Sequence, residues 1–364
     1  MPHKQERAAP LRAKKLNTMK RPAIEFVLPS ELEAHEPPEF RGLRRDQVRL
    51  LVLPRNADQP VVHTQFADIG KYLRAGDLLV VNNSRTLPAL LQARDETGAP
   101  VEVRLAQRHT ESQWDALLLD DRIHIGRSGM RLDFGQDLTA QVVAPNPDLP
   151  FLWQVQFNIC CKELLNLIYR MGVPIRYSYV AEALPLDLYQ TVYAGAPGSV
   201  EMVSAGRPFS WELLLNLERQ GVKLATISLH TGISSTRDDA IDATYPNYEE
   251  EYDLPEATVQ AIDNCHQAQG RVIAVGTTVV RTLETVAAQH GGLIPAHGWT
   301  RLHIAAGHHL HVVDGLLTGM HEPESSHLDL LSAFVEPERL KAVYLQAIEK
   351  QYLWHEFGDM NLIV

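Results

Sequence analysis

The fold of this chain is decided by one stretch, Arg271-Val272-Ile273-Ala274-Val275-Gly276-Thr277-Thr278-Val279-Val280-Arg281-Thr282-Leu283-Glu284. Val272 to Val275 form a short apolar run rich in β-branched residues, which is typical of a buried strand. Gly276 interrupts the run, and apolar residues then recur at helical spacing. The pattern predicts a strand, a tight glycine turn and a helix, the unit from which α/β domains are built.

The same stretch is a candidate ligand site. Thr277 and Thr278 begin the predicted helix, where free backbone N–H groups and the helix dipole attract a carboxylate or a phosphate. Arg281 and Glu284 follow one turn later on a shared face, where they could contact an anion and a polar group. The alternative is structural: Gly276 is only a turn, Thr277 only a cap, and Arg281 and Glu284 a surface pair.

Composition restricts the class of protein. The chain has 364 residues, of which 45% are hydrophobic and 22% charged, as expected for a soluble globular protein of about two domains. No apolar run approaches the roughly 20 residues that span a bilayer, and no secretory signal is present, so we expect no membrane association. The three cysteines, two of them adjacent (Cys160 and Cys161), form no disulfide or metal-binding pattern, which favours the cytoplasm.

Charge is unevenly distributed along the chain. The net charge of −11 argues against a broad nucleic-acid surface. Residues 1–23, however, carry seven lysines and arginines against the single acid Glu6. We expect a disordered basic tail, which could hold a polyanion loosely or be a solvated extension.

Local patterns predict two domains. Short strand candidates with turn signals between them follow Gly76, and they indicate a small β-barrel or sandwich. They are Asp77–Val81, Val101–Ala106, Trp114–Leu119, Met130–Phe134, Leu138–Val143 and Leu152–Phe157. Strands and helices then alternate to the end of the chain, with Arg301–Ala305 and His311–Val313 among the strand candidates. We therefore predict an α/β domain from residues 24–74 and 160–364, with a β-domain inserted at 75–159.

Four side chains outside the opening stretch are candidates for function. His230 ends a predicted strand and could be a general base or a packed histidine. His321 lies in a loop that enters a helix. Asp359 follows a glycine turn and could hold a ribose hydroxyl or an amine, or merely cap the turn. Arg85 follows a strand and could bind an anion or lie on the surface.

Several common site types are absent from the sequence. There is no P-loop, GxGxxG, GxSxG or CxxC motif. His309 and His311 would share one face of a strand, but no tight ligand motif accompanies them, so we expect no metal site. These residue types alone name no reaction.

Short motifs in a fixed order resemble one family, the S-adenosylmethionine:tRNA ribosyltransferase-isomerases of queuosine biosynthesis. The resemblance covers nearly all of residues 25–364. Its motifs are Arg45-Asp46 with Arg49–Leu53, Gly76–Asn82 through Arg85 and Pro88-Ala89, Tyr189–Ala194, Ser204-Ala205-Gly206, Leu229-His230 with Gly232, Val275–Glu284, His321 with Pro323 and Ser325, Leu331–Phe334, and Gly358-Asp359 with Leu362-Ile363. The longest intact motif is therefore the opening stretch.

The resemblance implies a barrel-like α/β main domain with an inserted small β-barrel domain. It also implies transfer of the ribosyl part of S-adenosylmethionine to the aminomethyl group of a deazaguanine base in tRNA. The product is epoxyqueuosine, and adenine and methionine leave. S-adenosylmethionine is then the co-substrate and precursor-bearing tRNA the partner, and no metal or protein partner is expected. Because the sulfonium acidifies the adjacent C5′ protons, a base could start the reaction.

Roles for the candidate residues follow from the resemblance. His230 or His321 would be the base. S-adenosylmethionine would bind at Gly276, Thr277, Thr278, Arg281 and Glu284. The cleft would be lined by Arg85, Asp46 and Asp359.

The chain also departs from the family pattern. Differences lie at Pro174–Tyr179, Val203–Phe209, Ser234–Thr236 and Tyr245–Glu250. A family histidine is replaced by Pro208, and two more are missing from Tyr245–Glu250. Tyrosine, with a pKa near 10, is a poor substitute as a base. Two alternatives thus remain: a paralogue that uses S-adenosylmethionine with a non-tRNA acceptor, and a non-catalytic binding relative.

Overall fold

A computed structural model describes residues 24–364 except 122, 178, 181, 235–248 and 324. The predicted basic tail at 1–23 lies outside the described residues. So do Ser178, Ser235, Thr236 and most of the Tyr245–Glu250 segment, in which only Glu249 and Glu250 are described.

Eighteen strands are found in the described part of the chain. They are β1 (Arg49–Leu53), β2 (Val62–Gln65), β3 (Leu78–Asn82), β4 (Ser84–Thr86), β5 (Leu90–Asp95), β6 (Pro100–Arg108), β7 (Gln113–Asp120), β8 (Ile123–His124), β9 (Arg131–Gly135), β10 (Leu138–Pro145), β11 (Leu152–Phe157), β12 (Ala196–Ser199), β13 (Lys223–Leu229), β14 (Glu250–Leu254), β15 (Val272–Val275), β16 (Ala296–Thr300), β17 (Gly315–Gly319) and β18 (Met360–Ile363).

Six α-helices accompany these strands within the described residues. They are α1 (Cys161–Met171), α2 (Trp211–Arg219), α3 (Glu256–Gln267), α4 (Thr277–His290), α5 (Ser326–Leu331) and α6 (Pro337–Glu349). Among the described residues, no helix combines the length and the apolarity needed to cross a membrane.

The main domain is built on a nine-stranded mixed sheet in the order β16-β14-β13-β3-β15-β17-β18-β1-β2. Its centre, β13-β3-β15-β17, is parallel. Strand β3 is buried throughout, and its side chains alternate between two cores: Leu78 and Val80 pack with α3, α4 and α6, whereas Leu79 and Val81 pack with α2. A strand covered on both faces needs a continuous apolar run, which explains the sequence Leu-Leu-Val-Val.

The smaller domain is a closed β-barrel. Its strands are ordered β11-β10-β9-β5-β6-β7, and β7 pairs with β11 to complete the ring, while β8 extends β7 as a hairpin. Alternate residues such as Val101, Val103 and Leu105 fill its interior. The α/β class and the inserted β-barrel are therefore as predicted from the sequence. The main sheet has no ladder between β16 and β2 in the described chain, so only the small domain forms a closed ring.

The structure corrects one predicted boundary and two predicted strands. Asp77–Val81 belongs to the centre of the main sheet, so the barrel begins at Leu90 and not near residue 75. Its unbroken apolar run is typical of a buried parallel strand and lacks the alternation of a barrel strand. Arg301–Ala305 and His311–Val313 are loops, and the strands lie instead at β16 and β17.

Candidate functional site at the carboxyl edge of the main sheet

The parallel strands β13, β3 and β15 end side by side, and Asn82 at the end of β3 links the neighbouring ends. The Asn82 Nδ2 donates to the carbonyl of Leu229 at 2.8 Å, and its Oδ1 accepts from the Leu229 N–H at 3.0 Å. Nδ2 also lies 3.4 Å from Thr278 Oγ1. This buried amide therefore ties the ends of β3 and β13 to the start of α4, at the edge where α/β sheets bind ligands.

The turn at Gly276 has the form that the sequence predicts. Its φ of +97° is unfavourable for a residue with a Cβ, and an added Cβ would lie 3.3 Å from that of Ala205. Helix α4 begins at Thr277, and no side chain caps its N-terminus. The first-turn N–H groups of Thr277 and Thr278 thus face the same edge as Asn82.

Arg281 and Glu284 do not form the surface pair of the structural alternative. Glu284 is buried, and its carboxylate accepts the backbone N–H groups of His311, Val312 and Val313 at 2.9, 3.0 and 3.3 Å. Its geometry favours a structural role, because it holds that loop in place. Arg281 pairs with Glu250 and donates from Nε to the carbonyl of Leu302 at 3.2 Å.

His230 lines a cleft between the two domains. The cleft is small, with a volume of about 10 Å³, and its other lining residues are Ala106, Gln107, Arg108, Gly198, Thr231 and Glu251. Nδ1 of His230 lies 2.8 Å from Ser84 Oγ, which lies 2.6 Å from Ser199 Oγ. The hydroxyl pair fixes the orientation of the ring.

Burial lowers the pKa of His230 to about 4, and the charges of Arg108 and His297 add to the effect. The ring is therefore neutral at physiological pH and can accept a proton. The imidazole also contacts the backbone closely, because a Cβ on Gly198 would lie 2.4 Å from His230 Nδ1.

A second cleft, of about 40 Å³, opens beside α4. Thr277 and Arg281 line it together with Leu302, His303, Ile304, Ser326, His327 and Leu330. His321 lies behind this cleft, since its ring stacks on that of His327 with centroids 4.5 Å apart. Its Nε2 lies 2.7 Å from Thr318 Oγ1, and burial lowers its pKa well below the usual value. The two candidate bases thus occupy different surroundings.

The remaining three candidates are not among the residues that line these clefts. Asp46 is buried and accepts from Arg44 Nη2 at 2.6 Å and from Ser210 Oγ at 2.7 Å. Asp359 is also buried, and it accepts from the N–H groups of Arg49 at 2.7 Å and Leu353 at 2.8 Å.

The carboxylates of Asp46 and Asp359 are thus occupied by donors from the protein itself, which favours structural roles for both. Arg85 is exposed on β4, beside Tyr169 of α1. Among the described residues, no group of three or more histidine, cysteine or acidic side chains is placed to hold a metal ion.

Comparison with known proteins identifies the family. The sequence model of the family described as "Queuosine biosynthesis protein" matches residues 22–363. The chain belongs to this family. An S-adenosylmethionine:tRNA ribosyltransferase-isomerase of Caldanaerobacter subterraneus subsp. tengcongensis is 35% identical over 351 residues, which are 95% of this chain and all of the relative. The protein of the same name from Acaryochloris marina is 39% identical and covers 94% of this chain and 93% of its own.

A solved structure agrees with these relatives in fold. The S-adenosylmethionine tRNA ribosyltransferase from Thermotoga maritima is 30% identical, with a TM-score of 0.53 over 94% of this chain and 99% of its own. Family membership and the α/β architecture with its barrel are therefore established for this chain.

Some residues at the edge were not singled out as site residues from the sequence. Ser84 and Asn82 occur in the family motif Gly76–Arg85, but their contacts with His230 and Leu229 join segments about 150 residues apart in the chain. The hydrogen bond between Tyr177 and Glu201 was also not predicted, because Tyr177 lies in a segment that departs from the family pattern and Glu201 lies in none of the family motifs. Glu201 indicates a polar site because it is buried, and its burial is visible only in the structure.

Proposed function

We propose that this chain is an S-adenosylmethionine:tRNA ribosyltransferase-isomerase. It transfers and isomerises the ribosyl moiety of S-adenosylmethionine onto the 7-aminomethyl-7-deazaguanine base of tRNA, and epoxyqueuosine, adenine and methionine are the products. Relatives carrying this name align with almost the whole chain. The observation that carries the proposal is His230, a neutral imidazole oriented by Ser84 in a cleft at the carboxyl edge.

His230 acts as the general base in this proposal. When Nδ1 donates to Ser84 Oγ, Nε2 keeps its lone pair and can take a proton. The sulfonium of S-adenosylmethionine acidifies the C5′ hydrogens, and one of these protons passes to Nε2. The low pKa of His230 keeps this nitrogen unprotonated at neutral pH, although it also makes it a weak base, so proximity must contribute.

The rest of the co-substrate lies along the same edge. The N-terminus of α4, with Gly276, Thr277 and Thr278, supplies backbone N–H groups for polar atoms of S-adenosylmethionine. Arg281 lines the neighbouring cleft, where Glu250 and the Leu302 carbonyl hold its guanidinium in place. The tRNA base would enter from the cleft side.

The experiment measures adenine release from S-adenosylmethionine. The full chain is incubated with tRNA that carries the aminomethyl-deazaguanine base, and in parallel with the same tRNA carrying guanine. We expect release only with the former, and its loss in His230→Ala. His63→Ala, a half-buried histidine bonded to Tyr352, is the matched control and should remain active. Binding of S-adenosylmethionine without adenine release on competent tRNA would favour a different acceptor and reject the proposal.

A further inference from the structure

Arg104 is a buried arginine with an unused donor. It lies on β6 and is 1% exposed, and its Nε donates to Glu102 at 2.7 Å. Its Nη2 is buried and has no hydrogen-bond partner among the described residues. A buried guanidinium nitrogen without a partner is costly, so such an atom indicates a missing anionic or polar ligand.

Buried carboxylates lie in the same region. Glu201 is 6% exposed, and it accepts from Tyr177 Oη at 2.5 Å and from the Ser234 N–H at 2.8 Å. Glu356 also faces the Tyr177 hydroxyl, and its Oε2 is buried without a partner in the described chain. Burial raises the pKa of Glu201, although Tyr177, Ser234 and Arg104 oppose the shift, and it raises the pKa of Glu356 to about 7.

The barrel brings Arg104 to these carboxylates. Arg104 is the ladder partner of Leu90, which in turn bridges to Val173, just before the segment that carries Tyr177. Val200 and Ile233, neighbours of Glu201 and Ser234, pack into the barrel core. The charge of Arg104 also acts on Glu201, while Tyr177 bonds Glu201 and faces Glu356. We call these linked residues the Arg104–Glu201 group (Arg104, Tyr177, Glu201, Ser234 and Glu356).

We propose that the Arg104–Glu201 group binds the amino-acid end of S-adenosylmethionine, with Arg104 holding the carboxylate and Glu201 and Glu356 the ammonium. This inference rests on the proposed function. Arg104 Nη2 is a donor and Glu356 Oε2 an acceptor without a partner among the described residues, and together they match the carboxylate and the ammonium of an α-amino acid. The group adjoins the cleft of His230, because Thr231 lines that cleft and donates from Oγ1 to the Glu201 carbonyl at 2.9 Å.

The position also fits the chemistry of the co-substrate. The C5′ carbon and the amino-acid chain are attached to the same sulfur, and only a short methylene chain separates the sulfur from the charged groups. A ligand that presents C5′ to His230 must therefore place its ammonium and carboxylate nearby. Binding energy at this remote end would orient C5′ without taking part in proton transfer.

The test compares three sulfonium ligands by titration calorimetry of the full chain. They are S-adenosylmethionine, its decarboxylated form, which keeps the amine, and 5′-deoxy-5′-dimethylsulfonioadenosine, which lacks the amino acid. We expect the wild-type protein to bind S-adenosylmethionine about tenfold or more tightly than the decarboxylated form, since a charged hydrogen bond is lost. In Arg104→Gln this ratio should fall to about twofold or less.

Glu201→Gln should weaken both amine-bearing ligands by about tenfold and leave the dimethyl analogue unchanged. Arg94→Gln, an exposed barrel arginine that bonds the Gly98 carbonyl, is the control and should keep the wild-type affinities. Circular dichroism checks the fold of each variant. If Arg104→Gln does not fold, Glu201→Gln carries the test, and unchanged affinity of this variant for S-adenosylmethionine contradicts the assignment.

Equal wild-type affinity for S-adenosylmethionine and its decarboxylated form overturns this inference. When adenine release with tRNA is nevertheless intact, the proposed function stands and only the assignment of the Arg104–Glu201 group fails. Failure of the wild type to bind any of the three ligands rejects the proposed function, and this subsite with it.

Discussion

At the scale of single residues, the two candidate bases differ in what surrounds their rings. His230 lines a cleft and is held by Ser84, whereas His321 bonds Thr318 behind His327. We therefore expect His230→Ala to lower kcat by roughly 10²–10⁴-fold, the usual contribution of a general base, and His321→Ala to lower it less. Steady-state adenine release measures both. A larger loss in His321→Ala would make His321 the base.

The close approach of Gly198 to the His230 ring gives a second prediction. An added Cβ would lie 2.4 Å from Nδ1, so Gly198→Ala must displace the imidazole or the strand β12. We expect it to reduce kcat by at least about tenfold while most of the stability is kept. Gly195→Ala is the matched control, because its Cβ would meet only the Tyr193 carbonyl at 3.9 Å. Equal activity of the two variants would show that the ring position does not matter.

Residue type and local pattern identified His230 as a candidate base, but they could not show which roles the carboxylates of Asp46 and Asp359 have. Asp46 and Asp359 look alike in the sequence, since each lies in a family motif shortly before a strand. Besides the nearby donors Arg44 and Leu353, each accepts from a distant one: Ser210 lies 164 residues from Asp46 and Arg49 lies 310 residues from Asp359. Such contacts follow from the tertiary fold, so the sequence could not separate a structural carboxylate from a catalytic one.

At the scale of elements, the strand–turn–helix of Val272 to His290 is the best-predicted part of the chain. Its strand is buried throughout, and the helix begins directly after Gly276. The prediction succeeded because one local pattern contains all of its determinants: an apolar run, a glycine and a helical repeat. The strand predicted at Arg301–Ala305 is wrong. A few apolar residues among polar ones predict a strand, but they do not show whether a partner strand is available.

Gly276 permits a prediction about this element. Gly276→Ala should cost about 1–2 kcal/mol for its positive φ and somewhat more for its contacts, because its Cβ would lie 3.3 Å from Ala205. Gly291→Ala, at the other end of α4, has a φ of +70° with no atom within 4 Å and should cost only the backbone term. Denaturant unfolding gives both values. Only Gly276→Ala should also weaken S-adenosylmethionine binding, and an equal effect of both variants on affinity would contradict this.

At the scale of the whole molecule, the candidate site depends on contacts between domains. The barrel supplies Ala106 to Arg108 to the cleft, and the main sheet supplies His230 and Glu251. The sequence predicted the class and the insertion, because a change in strand pattern is visible locally. It placed β3 in the wrong domain, because only the pairing of β3 with β13 and β15 shows that the strand belongs to the main sheet.

The stability of the whole molecule should depend on pH through two adjacent residues with opposite signs. Burial lowers the pKa of His355 from 6.5 to about 4 and raises that of Glu356 from 4.5 to about 7. Between about pH 5 and 6.5, unfolded His355 carries a proton that the folded form lacks, so acidification favours unfolding. Folded Glu356 carries a proton that the unfolded form lacks, so acidification favours folding.

The two effects largely cancel in the wild-type protein, and single variants should separate them. In His355→Gln the unfolded chain no longer takes up a proton at this residue. The free energy of unfolding should therefore fall less with acidification, by up to about 1.4 kcal/mol per pH unit. Glu356→Gln should make the fall steeper by a similar amount, and the double variant should restore the wild-type slope. Urea unfolding across this pH range measures all four slopes. A shift of both single variants in the same direction would mean that burial does not act on these two groups in the opposing way described.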